Sequence, residues 1–136
     1  MSTALTTISP GLFYRDAPAA IEWLGRAFGF DAVLVVPGEA GEVAHAELKL
    51  GDAFVMLSSE MPDRRYESPS GGTSIHQYVN IATADVKPLY DRAVAAGATV
   101  VHPYEAKDYG GHGFTVRDPE GHEWSVGSYQ PGGYQG

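Results

Sequence analysis

The 136-residue sequence predicts an α+β fold built from two βαβββ modules in tandem, whose mixed sheets form a cup. Three observations carry the prediction. Two amphipathic helical segments occupy matching places in the two halves, each with an aspartate ahead and a glycine behind. Each is preceded by one strand-like run and followed by three. In both halves the last two runs are joined by a tight turn signal, Gly51-Asp52 in the first and Asp118-Pro119-Glu120-Gly121 in the second. Identity between the halves is low, so the repeat is one of pattern rather than letters.

The first module spans residues 6–58. A strand is expected over Thr6–Tyr14, then a helix from Asp16 to Phe28. Asp16 is its N-cap, Pro18 sits in the first turn, Ile21, Leu24 and Phe28 share one face, and Gly29 stops it. Strands follow at Ala32–Val36, Val43–Leu50 and Ala53–Ser58. On Val43–Leu50, His45 and Glu47 alternate with Leu48 and Leu50, which places the polar pair on the cup face. Residues 59–74, rich in proline, serine, glycine and charge, read as a linker or an active-site lid.

The second module spans residues 75–129. Its strand is expected over Ile75–Thr83 and its helix over Asp85–Ala96. Asp85 is the expected cap, Pro88 falls in the first turn, Val86, Leu89, Ala93 and Ala96 form the buried stripe, and Gly97 ends it. Strands follow at Thr99–His102, Gly113–Arg117 and Glu123–Tyr129. Phe114, Val116, Trp124 and Val126 alternate onto a packed face, which leaves Glu123, Ser125, Gly127 and Tyr129 on the other. By position after the turn, Phe54 and Met56 match Trp124 and Val126. Residues 130–136 read as a frayed tail.

Composition narrows the function. Seventeen acidic against nine basic side chains give a net charge of −8, which repels phosphate backbones and anionic lipid, so neither nucleic acid nor membrane is an expected partner. The absence of cysteine excludes disulfides and zinc–thiolate sites. Residues Met1 to Leu5 lack a basic region followed by an apolar run, and a cytoplasmic protein is expected. No Gly-x-Gly-x-x-Gly follows a strand, and there is no Walker loop and no nucleophile elbow.

Four stretches carry a family resemblance: Phe13-Tyr14-Arg15-Asp16, Leu24 to Phe30, Leu50-Gly51-Asp52, and Asp118-Pro119-Glu120-Gly121-His122-Glu123-Trp124. In this order and spacing the chain resembles the vicinal oxygen chelate superfamily of glyoxalases, bleomycin-resistance proteins and extradiol dioxygenases. The Gly-His-x-Trp ending looks most like its PhnB-like branch. The resemblance implies paired βαβββ modules with metal or ligand in a cup, and a homodimer with cups at or near the interface. Enzymes of this superfamily hold a metal through His or Glu on the first and last strand of each half. Counted from the shared turns, those positions here are Ser9, Val55, Tyr78 and Ser125, which are poor ligands for a catalytic divalent cation.

The expectation is therefore a metal-free binding protein, with no cofactor, that sequesters a planar or cationic small molecule. Phe13, Tyr78 and Tyr129, with Tyr104, offer aromatic surface. Glu47, Asn80, Glu123 and Ser125 offer orientation, and a ligand would satisfy the Asn80 amide. Arg64 and Arg65 either meet a ligand carboxylate or are solvated. One alternative is a metal-dependent lyase, isomerase or dioxygenase using His45, Glu47, His76 and Glu123. A second is a metal-free acid–base enzyme using His45 or Glu47. His112 reads as a mobile acid or base or as a loop histidine with backbone partners, and His122 reads as structural. His102 is assigned no chemistry.

Overall fold

The computed structural model describes residues 6–108 and 111–133. Of the expected frayed tail, residues 134–136 lie outside the described residues, as does Gly110 before His112. The order is β1 (Gly11–Tyr14), α1 (Ala17–Phe28), β2 (Asp31–Pro37), β3 (Val43–Leu50), β4 (Ala53–Ser59), β5 (Gln77–Asn80), α2 (Thr83–Ala95), β6 (Thr99–Ala106), β7 (His112–Arg117) and β8 (Glu123–Gly127). The strands form two four-stranded sheets, ordered β1-β4-β3-β2 and β5-β8-β7-β6. In each, the first strand runs parallel to the last and the other neighbours are antiparallel. This is the expected pair of βαβββ modules, with a helix against one face of each sheet.

Local chemistry explains most boundaries. The Asp16 carboxylate accepts the Ala19 N–H at 3.1 Å, which satisfies one orphan donor of α1. Gly29 ends that helix in the left-handed region at φ 86°, and its N–H bonds back to Gly25. β1 begins at Gly11 rather than Thr6, since Pro10 supplies no N–H, although its carbonyl still accepts Met56 N–H at 2.9 Å. β6 continues past His102 to Ala106. It is an edge strand, and register shifts on both sides of His102 absorb Pro103.

The start of α2 departs from expectation. It begins at Thr83, two residues early, with Ala82 in the cap position and no side-chain cap bond. Asp85 lies inside the first turn, where its charge favours the helix dipole. Pro88 is consequently in the second turn, where it deletes a helical hydrogen bond.

One core joins both modules. Leu24, Ala27 and Phe28 of α1 meet Leu48, Val55 and Leu57 of the first sheet and Phe114, Val116, Trp124 and Val126 of the second. Trp124 is fully buried, with Phe28 and Phe30 at ring separations of 5.4 and 5.7 Å. The helices also touch: Trp23 Nε1 donates to Ala96 O at 2.8 Å, and Arg92 donates to Gly25 O and Arg26 O at 2.9 and 2.8 Å. Each sheet thus turns its helix side toward the shared core. Its other side faces outward, so the two open faces do not enclose a cup within one chain.

Candidate functional site: two open sheet faces

Pairing settles which residues lie on the open faces, because directly opposed residues share a face. In the first sheet Leu48 opposes Val55 and Ala46 opposes Leu57, and all four are buried toward the core. The open face therefore holds Gly11, Phe13, His45, Glu47, Phe54, Met56 and Ser58. Val55 is corrected by this result: it belongs to the core, and Met56 takes its place on the open face. The error came from aligning the two hairpins at their turns. Leu50 pairs with Ala53 across a two-residue turn, whereas Arg117 pairs with Glu123 across a longer one, so equal counts from the turn reach opposite faces. The proposed match of Phe54 and Met56 with Trp124 and Val126 fails for the same reason. Ser9 lies ahead of β1, outside the ladder.

A groove of about 190 Å³ lies on this face beside residues 61–66. Phe13, Met56 and Ser58 lie on its sheet side, and His45, Met61, Arg64 and Tyr66 complete its wall. Residues 61–66 form a flap. Met61 and Tyr66 exchange backbone hydrogen bonds at 2.9 and 3.1 Å around a single turn of 3-10 helix, Pro62–Arg64. Arg65, at φ 63°, ends the turn in the left-handed region. Tyr66 lies flat on Phe13, with ring centres 4.5 Å apart and planes 8° apart. The Arg64 guanidinium sits over the same tyrosine ring at 5.0 Å. Beside the groove, His45 Nε2 and Glu47 Oε2 are 2.9 Å apart.

The open face of the second sheet holds Tyr78, Asn80, Thr115, Glu123, Ser125 and Gly127. Ser125 Oγ lies 2.8 Å from Thr115 Oγ1 and 2.9 Å from His76 Nδ1, while Glu123 pairs with Arg117 at 3.2 Å. Asn80 departs from expectation. Its Nδ2 donates to Gly127 O and Tyr129 O at 3.1 and 3.0 Å, so the amide is already engaged within the chain. Tyr78 donates its hydroxyl to Tyr129 O, so Tyr129 contributes its carbonyl to this face. Tyr104 instead packs toward α2, 6.3 Å from Tyr90, with its hydroxyl 2.9 Å from His112 Nδ1. His112 therefore has a side-chain partner in addition to its backbone bonds.

A sequence model of the Glyoxalase/Bleomycin resistance protein/Dioxygenase superfamily matches residues 5–126. The chain belongs to this superfamily. Within the superfamily, it is 35% identical over 125 residues to an uncharacterized protein of Mycobacterium bovis (strain ATCC BAA-935 / AF2122/97), covering 88% of this chain and 81% of the relative. Among solved structures it resembles TioX from Micromonospora sp. ML1, with TM-score 0.71, 31% identity and coverage of 92% and 99% of the two chains. A glyoxalase-related enzyme from Fulvimarina pelagi gives TM-score 0.70 at 25% identity, covering 90% and 88%.

A metal is implied for enzymes of this glyoxalase superfamily, and the corrected rung positions of one chain do not supply ligands that fit it. The corrected rungs pair Gly11 with Met56 and Tyr78 with Ser125, a set of thioether and hydroxyl groups that suits no hard divalent cation. His76 and Glu123 lie 3.8 Å apart on one sheet, and His45 and Glu47 stand on the other. No three His, Cys, Asp or Glu side chains among the described residues group closely enough to hold an ion.

The turn Asp118 to Gly121 that carries the resemblance is structural. Asp118, buried, accepts the Tyr14 hydroxyl at 2.5 Å, Trp124 Nε1 at 3.1 Å, and the backbone N–H groups of Glu120 and His122. Burial, then the charge of Asp118, pushes the Tyr14 pKa well up, so its hydroxyl remains a donor. His122 Nε2 lies 2.8 Å from Phe13 O, a backbone partner in the other module. Glu120 binds across modules: its carboxylate accepts Arg15 N–H, Asp16 N–H and the Ser68 hydroxyl at 2.7, 2.8 and 2.6 Å. A larger cavity of about 250 Å³ opens beside Tyr14, Trp23 and this turn, but its carboxylates already have partners: Asp118 and Glu120 in these bonds, Asp16 in the Ala19 N–H and Glu22 in Arg26.

Sequence reasoning missed Met56, Tyr66 and Glu120. For Met56 the hairpin length was the available signal. Glu120 could have been noticed as a turn carboxylate, and Tyr66 as a lone aromatic in a polar segment.

Proposed function

We propose that this superfamily member is a small-molecule-binding protein that works without a metal and sequesters a planar, partly apolar compound on its open sheet faces. The observation that supports this most is the groove on the first sheet, where Phe13, Met56 and Met61 give apolar contact beside few polar groups. The Gly121-His122-Glu123-Trp124 ending supports placing the chain in the PhnB-like branch.

The complete site takes two copies of the chain. Both open faces turn outward from the common core, and the edge strand β2 exposes Val33, Leu34, Val35 and Val36. Such an edge needs covering. A homodimer that sets the first sheet of one copy against the second sheet of the other encloses the groove opposite Tyr78, Ser125 and Glu123. Sedimentation of the full chain is expected to give a dimer, and a monomer at all concentrations refutes this reading.

Binding of planar aromatic probes, followed by calorimetry, tests the site. Phe13→Ala and Tyr78→Ala are each expected to weaken binding about tenfold. Unchanged affinity in both removes the open faces from consideration.

The His45–Glu47 pair supports a second reading, general acid–base catalysis without metal. Glu47 orients the ring, and the second ring nitrogen of His45 exchanges a proton with a ligand in the groove. Turnover of a bound probe that is lost in His45→Gln while binding persists distinguishes this from sequestration.

A further inference from the structure

Resting on the proposed binding role of the first sheet, we infer that its ligands are planar aromatic carboxylates, that Tyr66 occupies their place in the free chain, and that Arg64 receives their charge. The first argument is spatial. With ring centres 4.5 Å apart and near-parallel planes, Phe13 and Tyr66 leave no slot for a third ring. A sandwiched ring would need them roughly 7–9 Å apart. A planar ligand that stacks on Phe13 must therefore displace Tyr66, whose ring already makes the contact the ligand would make.

The flap is braced at its base and closed at its tip. Its base is fixed where Ser68 N–H meets Glu60 Oε2 at 2.8 Å and the Ser68 hydroxyl meets Glu120. Its tip, Met61 to Tyr66, is closed by its own backbone bonds, so rotation of the Tyr66 side chain off Phe13 leaves Arg64 in the groove wall. Arg65 holds a positive φ without being glycine, a conformation that persists where surrounding structure demands it.

The charge argument is separate. The chain is strongly acidic, yet Arg64 has no carboxylate within ion-pair distance among the described residues. It lines the groove beside apolar side chains. The carboxylate beside the wall, Glu47, is turned to His45, 2.9 Å from its Nε2, rather than to Arg64. An anionic group on a ring lying over Phe13 thus meets a guanidinium that has no carboxylate partner among the described residues, and its planar fork suits a carboxylate. A cationic ring would meet the same guanidinium and be repelled.

Equilibrium titration of the full chain with naphthoate, naphthamide and naphthylmethylammonium, all substituted at the same ring position, tests the inference. Naphthoate is expected to bind about tenfold tighter than its neutral isostere naphthamide, and the ammonium weakest. Arg64→Gln is expected to bring the acid-to-amide ratio to within about twofold, whereas Arg65→Gln, outside the groove, keeps it. Tyr66→Ala removes the internal competitor and is expected to tighten both probes about three- to tenfold. Equal binding of acid and amide, a ratio that survives Arg64→Gln, or weaker binding in Tyr66→Ala overturns the inference. If acid and amide bind equally and both are lost in Phe13→Ala, the inference fails while the binding role stands. If none of the probes binds, both fall.

Discussion

Replacing Glu120 by glutamine probes how the second module fastens the first module and its flap. In the folded protein Oε1 accepts Arg15 N–H and the Ser68 hydroxyl, and Oε2 accepts Asp16 N–H. An amide oriented to keep the first two bonds turns an NH2 toward the Asp16 N–H, so one acceptor is lost and two charged bonds become neutral ones. A charge-assisted bond contributes about 1.5–3 kcal/mol and a neutral one about 1, and water replaces part of the loss at this half-buried site. The net cost of Glu120→Gln is about 2 kcal/mol near neutral pH. The pH dependence sharpens the test. Partial burial pushes the Glu120 pKa up, but the Ser68 hydroxyl, both backbone N–H groups and the Arg15 guanidinium outweigh it, and the net shift is down from 4.5. A carboxyl with a depressed folded-state pKa gives its stability above the unfolded value and loses it as pH falls through the folded value. The difference between wild type and Glu120→Gln is therefore full near neutral pH and shrinks below about pH 4, as the wild-type carboxyl itself protonates. Urea unfolding, read by fluorescence of buried Trp23 and Trp124, measures both values. A difference under about 0.5 kcal/mol at neutral pH, or one that does not narrow on acidification, refutes the reasoning.

Other substitutions separate core from cup. Val55→Ala is expected to cost roughly 1–3 kcal/mol in urea unfolding and leave planar-probe affinity unchanged, while the neighbouring Met56→Ala weakens binding at little cost in stability; the reverse pattern would restore the register that the pairing of Leu48 with Val55 rejects. A Cβ at Gly127 would stand 2.9 Å from both His112 O and the Tyr78 hydroxyl. Gly127→Ala is therefore expected to cost about 1–3 kcal/mol and shift the Tyr78 ring, seen as lost stability and changed aromatic NMR signals. Protein purified without chelator is expected to carry less than stoichiometric Zn, Ni, Mn or Fe. A full equivalent that disappears in His76→Ala would instead favour the metal-dependent alternative.

The fold was legible because its signals are local and repeated. Asp16 and Gly29 bracket α1, and Val43–Leu50 appears with the expected ends and facing. The start of α2 was less legible, since Ala82 carries no capping side chain and Asp85 mimics one from within the first turn. The site divided along the same line. The facing of Glu123 and Ser125 was legible in the alternation of β8 itself, and Tyr78 of β5 shares their face because it opposes Ser125. Val55 was misplaced because its facing depended on the length of a turn, where one residue reverses every side chain. Tyr66 and Glu120 act through partners far away in sequence, Phe13 and the Arg15–Asp16 backbone, and no local pattern encodes such contacts.

A crystal structure of the full chain with naphthoate bound tests the central claim most directly. The expected result places the ring on Phe13 and Met56 of one copy, with the second sheet of another copy closing over it. A ring seated in the cavity beside Tyr14 and Trp23, or on an open face that no second copy covers, would contradict the account.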